Sequence, residues 1–228
     1  MSEYFSRVRL RHRSEISGDD RRWLHEHSLR GEAQLDHELI WKLFPGDDMA
    51  RDFVFRRELL PVGALKTTSS YLVVSRRRPE AGSMFVVESK PYAPQVAAGE
   101  HLCFSLLANP VVSRRTGTKS HRHDVLMDAK KQCANHAVRK NVMYKAALDW
   151  LLKRAKDWGL NMHEKTVLMK SYRQHSFSRK GKRVSFSVLD YSGLATVADP
   201  DLLRRALTNG VGHERSYGCG LLLVRRAD

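Results

Sequence analysis

The residues of this 228-residue chain whose types and spacing best suit chemistry are three histidines, His25, His27 and His37, and a glycine-rich segment near the C-terminus. Histidine titrates near neutrality, so one imidazole can accept a proton in one step of a reaction and release it in another. His37 stands in the stretch Gln34-Leu35-Asp36-His37-Glu38-Leu39-Ile40-Trp41-Lys42-Leu43. Leu35, Leu39 and Leu43 recur there at helical spacing, while His37 and Trp41 share the opposite side, so the imidazole is expected to face a ligand. If Asp36 caps this helix, the positive helix end favours the neutral ring, which suits a base, and its amides can attract a phosphate. His25 and His27 bracket Glu26, yet the H-E-x-x-H spacing of a helical metal site is absent and no further ligand cluster accompanies them. No metal and no cofactor are expected, and H-E-H reads as solvated loop.

The glycine-rich segment runs Gly210-Val211-Gly212-His213-Glu214-Arg215-Ser216-Tyr217-Gly218-Cys219-Gly220. Glycines at 210, 212, 218 and 220 permit positive φ and close backbone approach, so the amides can gather round a phosphate or pack tightly against RNA, and the loop is expected to brace the RNA or the domain interface. The spacing matches neither G-x-x-x-x-G-K-[ST] nor G-x-G-x-x-G, and nucleotide binding is disfavoured.

Charge points to the kind of partner. Lys and Arg number 40 against 25 Asp and Glu, a formal charge of +15. Such an excess suits an acidic polymer. One cluster, between Ser113 and Lys140, includes Arg114, Arg115, Lys119 and Arg122. A second, Arg173, Arg179, Lys180, Lys182 and Arg183, straddles a predicted hairpin tip with no acid from Ser171 to Arg183. A protruding basic hairpin can enter the open end of an RNA stem, where the planar arginine fork pairs with guanine edges or phosphates.

The elements that must position these residues follow from periodicity. Strands are predicted near 4–11, 52–57, 70–77, 83–89, 101–110, 166–177, 183–197 and 221–224, with a helix over 35–44. A basic loop follows the strand at 101–110. Tyr144, Leu148, Leu151, Ala155 and Trp158 mark a long helix that Gly159 ends, and Asp199, Pro200 and Gly210 frame another over 200–209. The second half thus reads β-α-β-β-α-β, and the first repeats it with its second helix short or lost between Arg77 and Ser83. The fold class is α+β, as two tandem ferredoxin-like (RRM-like) βαββαβ domains, 1–98 and 99–228. Cys103, Cys133 and Cys219 are too few and too scattered for a disulfide framework. No apolar run is long enough to cross a membrane, and a cytoplasmic setting is expected.

A G-hydrophobic-G loop ending in G-x-G before a terminal strand resembles the repeat-associated CRISPR proteins. Three further segments narrow the resemblance to the CasE family: His37-Glu38-Leu39-Ile40-Trp41-Lys42-Leu43-Phe44-Pro45, Ala50-Arg51-Asp52-Phe53-Val54-Phe55 and Leu107-Ala108-Asn109-Pro110. The resemblance implies an endoribonuclease that cuts CRISPR precursor RNA without metal, by attack of a ribose 2′-OH on the adjacent phosphorus. The products are a 2′,3′-cyclic phosphate and a 5′-OH. It also implies that the protein stays on the 3′ repeat hairpin as a Cascade subunit, beside the backbone subunits and guide RNA, meeting target DNA only indirectly. His37 falls where the family carries its catalytic histidine. Three positions before it, where family members can carry a tyrosine, this chain has Gln34, which cannot exchange a proton, and His25 or His27 are candidates to substitute. The competing function is a noncatalytic RNA-binding subunit of a CRISPR ribonucleoprotein. A double-stranded DNA-binding factor is a more distant alternative, which lacks a helix-turn-helix or zinc finger.

Overall fold

A computed structural model of the chain describes residues 3–46, 50–62, 66–117, 119–179 and 181–227. In the first half β1 (Glu3–Leu10) leads to α1 (Gly18–Ser28) and α2 (Glu32–Trp41), followed by β2 (Phe53–Val62), β3 (Lys66–Ser75) and β4 (Phe85–Tyr92). The strands form one antiparallel sheet in the order β2-β3-β1-β4. This is the strand order of a ferredoxin-like unit whose second crossover helix has been replaced by the short connection from β3 to β4.

The second half holds β5 (His101–Ala108), a hairpin of β6 (Val111–Thr116) and β7 (Lys119–Asp124), α3 (Val125–Gln132) and α4 (Arg139–Ala155). Then come β8 (Leu160–Met162), β9 (Leu168–Arg179), β10 (Lys182–Val197), α5 (Pro200–Asn209) and β11 (Leu222–Arg226). The sheet runs β11-β5-β10-β8, with β9 occupying the rest of the β10 edge. Read with β8 and β9 as one interrupted strand, this is again ferredoxin-like order. Both halves therefore show the expected α+β architecture, the first without its second helix.

Local chemistry sets the elements. α5 begins at Asp199, whose carboxylate accepts from the Asp201 and Leu202 amides at 2.9 and 3.0 Å, and ends at Gly210. Gly159, at φ 73°, closes the turn after α4; a Cβ there would lie 2.2 Å from the Asp199 carbonyl oxygen, so no larger residue fits. The α4 stripe of Ala147, Leu148, Leu151 and Ala155 is buried with Trp158 against β5 and β10, although Tyr144 is 48% exposed.

Three expectations are corrected. Residues 18–28 form a helix: Ser17 accepts from the Asp20 amide at 3.1 Å, and Trp23 and Leu24 pack on the same core as Leu39, Ile40 and Phe85. α1 thereby packs beside α2 on the core of the first half. Residues 111–124, expected as a loop, form a hairpin, anchored where the Trp150 indole donates to the Val111 carbonyl at 3.0 Å. The helix carrying His37 starts at Glu32 with Gly31 as its cap, so Asp36 lies inside it and caps nothing.

Candidate active site

Helix α2 is buried on two sides, which explains where His37 lies. Leu39, Ile40, Leu43 and Phe44 enter the core of the first half. Across the helix, Ala33 packs with Phe177, Phe186, Val188 and Cys219 of the second half. The face opposite the leucines therefore meets the glycine-rich loop, and His37 is only 8% exposed.

The His37 Nδ1 atom lies 2.9 Å from the main-chain oxygen of Ser216. A carbonyl oxygen only accepts, so Nδ1 carries the hydrogen and donates it. In the neutral ring Nε2 is then the free lone pair. Burial pushes the His37 pKa below its ordinary value; the Ser216 carbonyl opposes this, and the Arg179 charge adds to it. The neutral form expected from a helix N-terminus thus has another cause: His37 sits mid-helix, and desolvation does the work.

Asp36 faces the other way. Its carboxylate accepts from the Tyr71 hydroxyl at 2.6 Å and lies 3.5 Å from the Arg57 guanidinium, which also pairs with Glu32. Burial still outweighs these partners and raises Asp36 to about 6. This network fixes α2 against β2 and β3.

Beside His37 lies a cleft of about 620 Å³. Gln34, His37, Glu38 and Trp41 line one wall, at the i, i+3, i+4, i+7 spacing that forms a single stripe on a helix. Ser178 and Arg179 at the end of β9 form the facing wall, with Arg30 at the rim. Arg179 donates to the Tyr217 hydroxyl at 2.7 Å, and the Tyr217 ring centroid lies 5.2 Å from that of His37. The arrangement joins a neutral imidazole to a guanidinium that can offset developing negative charge.

The glycine loop braces the two halves. Gly210, at φ 71°, approaches so closely that a Cβ would meet Val54 Cγ2 at 2.7 Å. Gly220, at φ 84°, passes the Val211 carbonyl, with space for a Cβ only 2.2 Å from that oxygen. At these positions the loop packs tightly against the chain itself, on Val54 of β2 and on its own Val211. The Val211 and Gly220 amides donate to the Gly220 and Leu107 carbonyls at 2.8 Å, and the Tyr217 amide to the Glu214 carbonyl at 2.9 Å. Gly218 adjoins Phe55, whereas Gly212 faces open space. Arg51 donates to the Ser216 hydroxyl at 3.2 Å, and Arg215 to the Asn209 carbonyl at 2.8 Å. His213, near Arg122, is lowered in pKa by burial and by surrounding arginines.

The remaining predicted residues separate into groups. Arg179 joins His37. Arg173 lines a neighbouring cleft between the halves, with Arg56, Arg57 and His175. Lys182 and Arg183 are exposed at the start of β10, where Arg183 donates to the Ser176 hydroxyl at 3.0 Å; Lys180 lies outside the described residues. Arg114 pairs with Asp128 at 3.0 Å on the β6–β7 hairpin, Arg115 is exposed there, and Lys119 opens β7. Arg122, on the same hairpin, lies 3.8 Å from Glu214 in the glycine loop. The basic hairpin and the loop are thus neighbours. Glu38, Arg30, Arg51 and Tyr217 were not singled out from sequence; the 34-37-38-41 spacing was the signal that could have found Glu38.

A family model described as "CRISPR associated protein" matches residues 3–226. The chain belongs to the CRISPR associated protein family. It is 28% identical over 193 residues to the CRISPR system Cascade subunit CasE of Escherichia coli strain K12, covering 82% of this chain and 88% of that one. Among solved structures, Thermus thermophilus Cse3, bound to an RNA representing a pre-cleavage complex, is 18% identical with a TM-score of 0.67, covering 99% of this chain and 100% of that one. Cas6e from Escherichia coli K-12 is 22% identical with a TM-score of 0.63, covering 98% and 100%. These two likenesses establish the shared fold. Among the described residues no helix is long and apolar enough to cross a membrane.

Proposed function

We propose that this protein is an endoribonuclease that processes CRISPR precursor RNA within its repeats and remains on the 3′ hairpin of the guide RNA as a Cascade subunit. Its relatives are named a Cascade subunit, CasE, and a CRISPR endoribonuclease, Cse3, bound to a 19-nucleotide RNA, and the cleft beside His37 supports the same reading here. The observation that carries the reading is the His37–Ser216 contact, which leaves Nε2 as a lone pair beside a cleft bearing Arg179.

In the proposed reaction, the ribose 2′-OH upstream of the cut loses its proton to His37 Nε2 as its oxygen attacks the adjacent phosphorus. The P–O5′ bond breaks and its electron pair goes to O5′, which takes a proton from water, while His37 gives its proton back to solvent; a 2′,3′-cyclic phosphate and a 5′-OH result, with no metal required. Arg179 stabilises the charge that grows on the phosphoryl oxygens. Lys182, Arg183 and the β6–β7 hairpin hold the RNA backbone, and affinity falls with salt as counterions are released.

The test is incubation with the cognate repeat RNA in chelator, followed by analysis of product ends. The expected products carry a cyclic phosphate and a 5′-OH. A substrate with 2′-deoxyribose at the cut should bind and stay intact, and His37→Ala should bind the normal RNA without cutting it. Binding by wild-type protein without cleavage under any metal or pH condition would instead make it a noncatalytic RNA-binding subunit.

A further inference from the structure

Two adjacent residues of the glycine-rich loop meet the two groups that the proposed reaction uses. The Ser216 carbonyl accepts from His37 Nδ1, and the hydroxyl of the next residue, Tyr217, accepts from Arg179 Nη1 at 2.7 Å. Arg179 stands exposed at the end of β9 and lines the cleft. Among the described residues the Tyr217 hydroxyl is the one hydrogen-bond partner of its guanidinium. An arginine side chain at a strand end has many rotamers and is ordered only by the contacts it makes.

Tyr217 is itself fixed. Its ring packs with Phe177 and Phe186, at 5.2 and 5.5 Å between centroids, beside Ala33, Val188 and Cys219. Its main-chain amide donates to the Glu214 carbonyl at 2.9 Å. The phenol oxygen therefore offers an acceptor at a set place. The guanidinium carbon of Arg179 lies 6.0 Å from the centroid of the same ring, at the outer reach of a cation–π contact. That ring is also the one lodged 5.2 Å from His37, so the acceptor that captures the cation sits beside the base.

We propose that Tyr217 is a positioning residue whose hydroxyl holds the Arg179 guanidinium over the cleft, ready for the charge that grows on the phosphoryl oxygens. The inference rests on the function proposed above and on the place given there to Arg179. In this role the phenol exchanges no proton and touches no reacting atom. It sets, ahead of substrate, the orientation of a donor that a freely turning side chain would have to find during the reaction. One loop thus fixes base and cation together, through a carbonyl at Ser216 and a hydroxyl at Tyr217.

The test is a double-mutant cycle of Tyr217→Phe and Arg179→Ala in single-turnover cleavage of the cognate repeat RNA. Phenylalanine keeps the ring that packs on Phe177 and Phe186 and removes only the acceptor. Arg179→Ala should lower the plateau rate about 100-fold, the scale of one preorganised donor. Tyr217→Phe should lower it about tenfold, the scale of one hydrogen bond to a charged group, with RNA affinity within about twofold of wild type. In the Arg179→Ala background the same change should cost less than about twofold, because the hydroxyl has nothing left to hold. Tyr217→Phe should also move the pH inflection of His37 upward, since a guanidinium that strays no longer disfavours the imidazolium; Glu38 and Arg51, the other charges bearing on the ring, stay in place. Equal losses in both backgrounds would overturn the inference, as would a Tyr217→Phe protein that cuts at the wild-type rate with an unmoved inflection. An Arg179→Ala protein as fast as wild type removes the cation from the reaction and this inference with it, while its cyclic phosphate products would leave the endoribonuclease standing. A wild-type protein that cuts no repeat RNA removes both.

Discussion

His37 and Ser216 stand 179 residues apart in sequence, yet the imidazole Nδ1 and the serine carbonyl oxygen lie 2.9 Å apart. The contact fixes the ring tautomer, and burial holds the ring neutral. Because the proposed base works only when neutral, cleavage should keep its full rate to a pH below the ordinary histidine value of 6.5 and fall only beneath it. Single-turnover rates between pH 5 and 8 check this. A base-side inflection at or above 6.5 would count against His37 as the base.

Arg179 adds a positive charge that disfavours the imidazolium. Arg179→Ala should move the inflection to higher pH and slow cleavage at its plateau, while Arg179→Lys should keep the inflection near its wild-type place. The same pH series measures both effects.

Gly220 and Gly212 both adopt positive φ, but only Gly220 is crowded. Gly220→Ala should lower unfolding stability by about 2 kcal/mol or more, through backbone strain and collision with the Val211 carbonyl. Gly212→Ala should cost only the left-handed penalty, about 1–2 kcal/mol. Urea unfolding compares them, and an equal cost would show that the loop relaxes around residue 220.

Asp36, raised to about 6 by burial, binds a proton in the folded state more readily than when unfolded, where its value is near 3.8. Its contribution to stability therefore improves as pH falls from about 6 toward 4 and worsens as pH rises through that window. Asp36→Asn should remove this dependence. Denaturant midpoints at pH 4.5 and pH 7 should converge for the variant relative to wild type.

Lys182 and Arg183 stand exposed at the root of the β9–β10 tip. If each meets one phosphate, replacing either by alanine should weaken RNA binding for all sequences alike. The slope of log affinity against log salt should fall by about one for each. An unchanged slope would move the RNA away from this hairpin.

Much of the fold was legible because its signals are local. Asp199, Pro200 and Gly210 mark the ends of α5, and Gly159 ends the turn after α4. α1 was missed because it buries no residue fully and shows no apolar stripe; its signal was the Ser17–Asp20 cap. The β6–β7 hairpin was missed because arginine, lysine and histidine fill it, and its order comes from pairing and from Trp150. Spacing and resemblance singled out His37, but not its burial, since a helical wheel shows two sides of a helix and nothing of what arrives from 179 residues away. Glu38 and Tyr217 were missed for the same reason: Glu38 meets His27 of α1, and Tyr217 reaches His37 from the glycine loop.

The imidazole is carried by the first sheet's helix and its anchoring carbonyl by the loop that leads into the last strand of the second sheet. Neither lobe alone holds both sides of that contact, so with His37 as the proposed base, splitting the polypeptide between residues 92 and 101 should yield inert pieces that regain cleavage only when recombined. Weakening the Arg56 bridge to Ser105 and Asp190, which ties β2 to β5 and β10, should slow the chemistry by letting the lobes part.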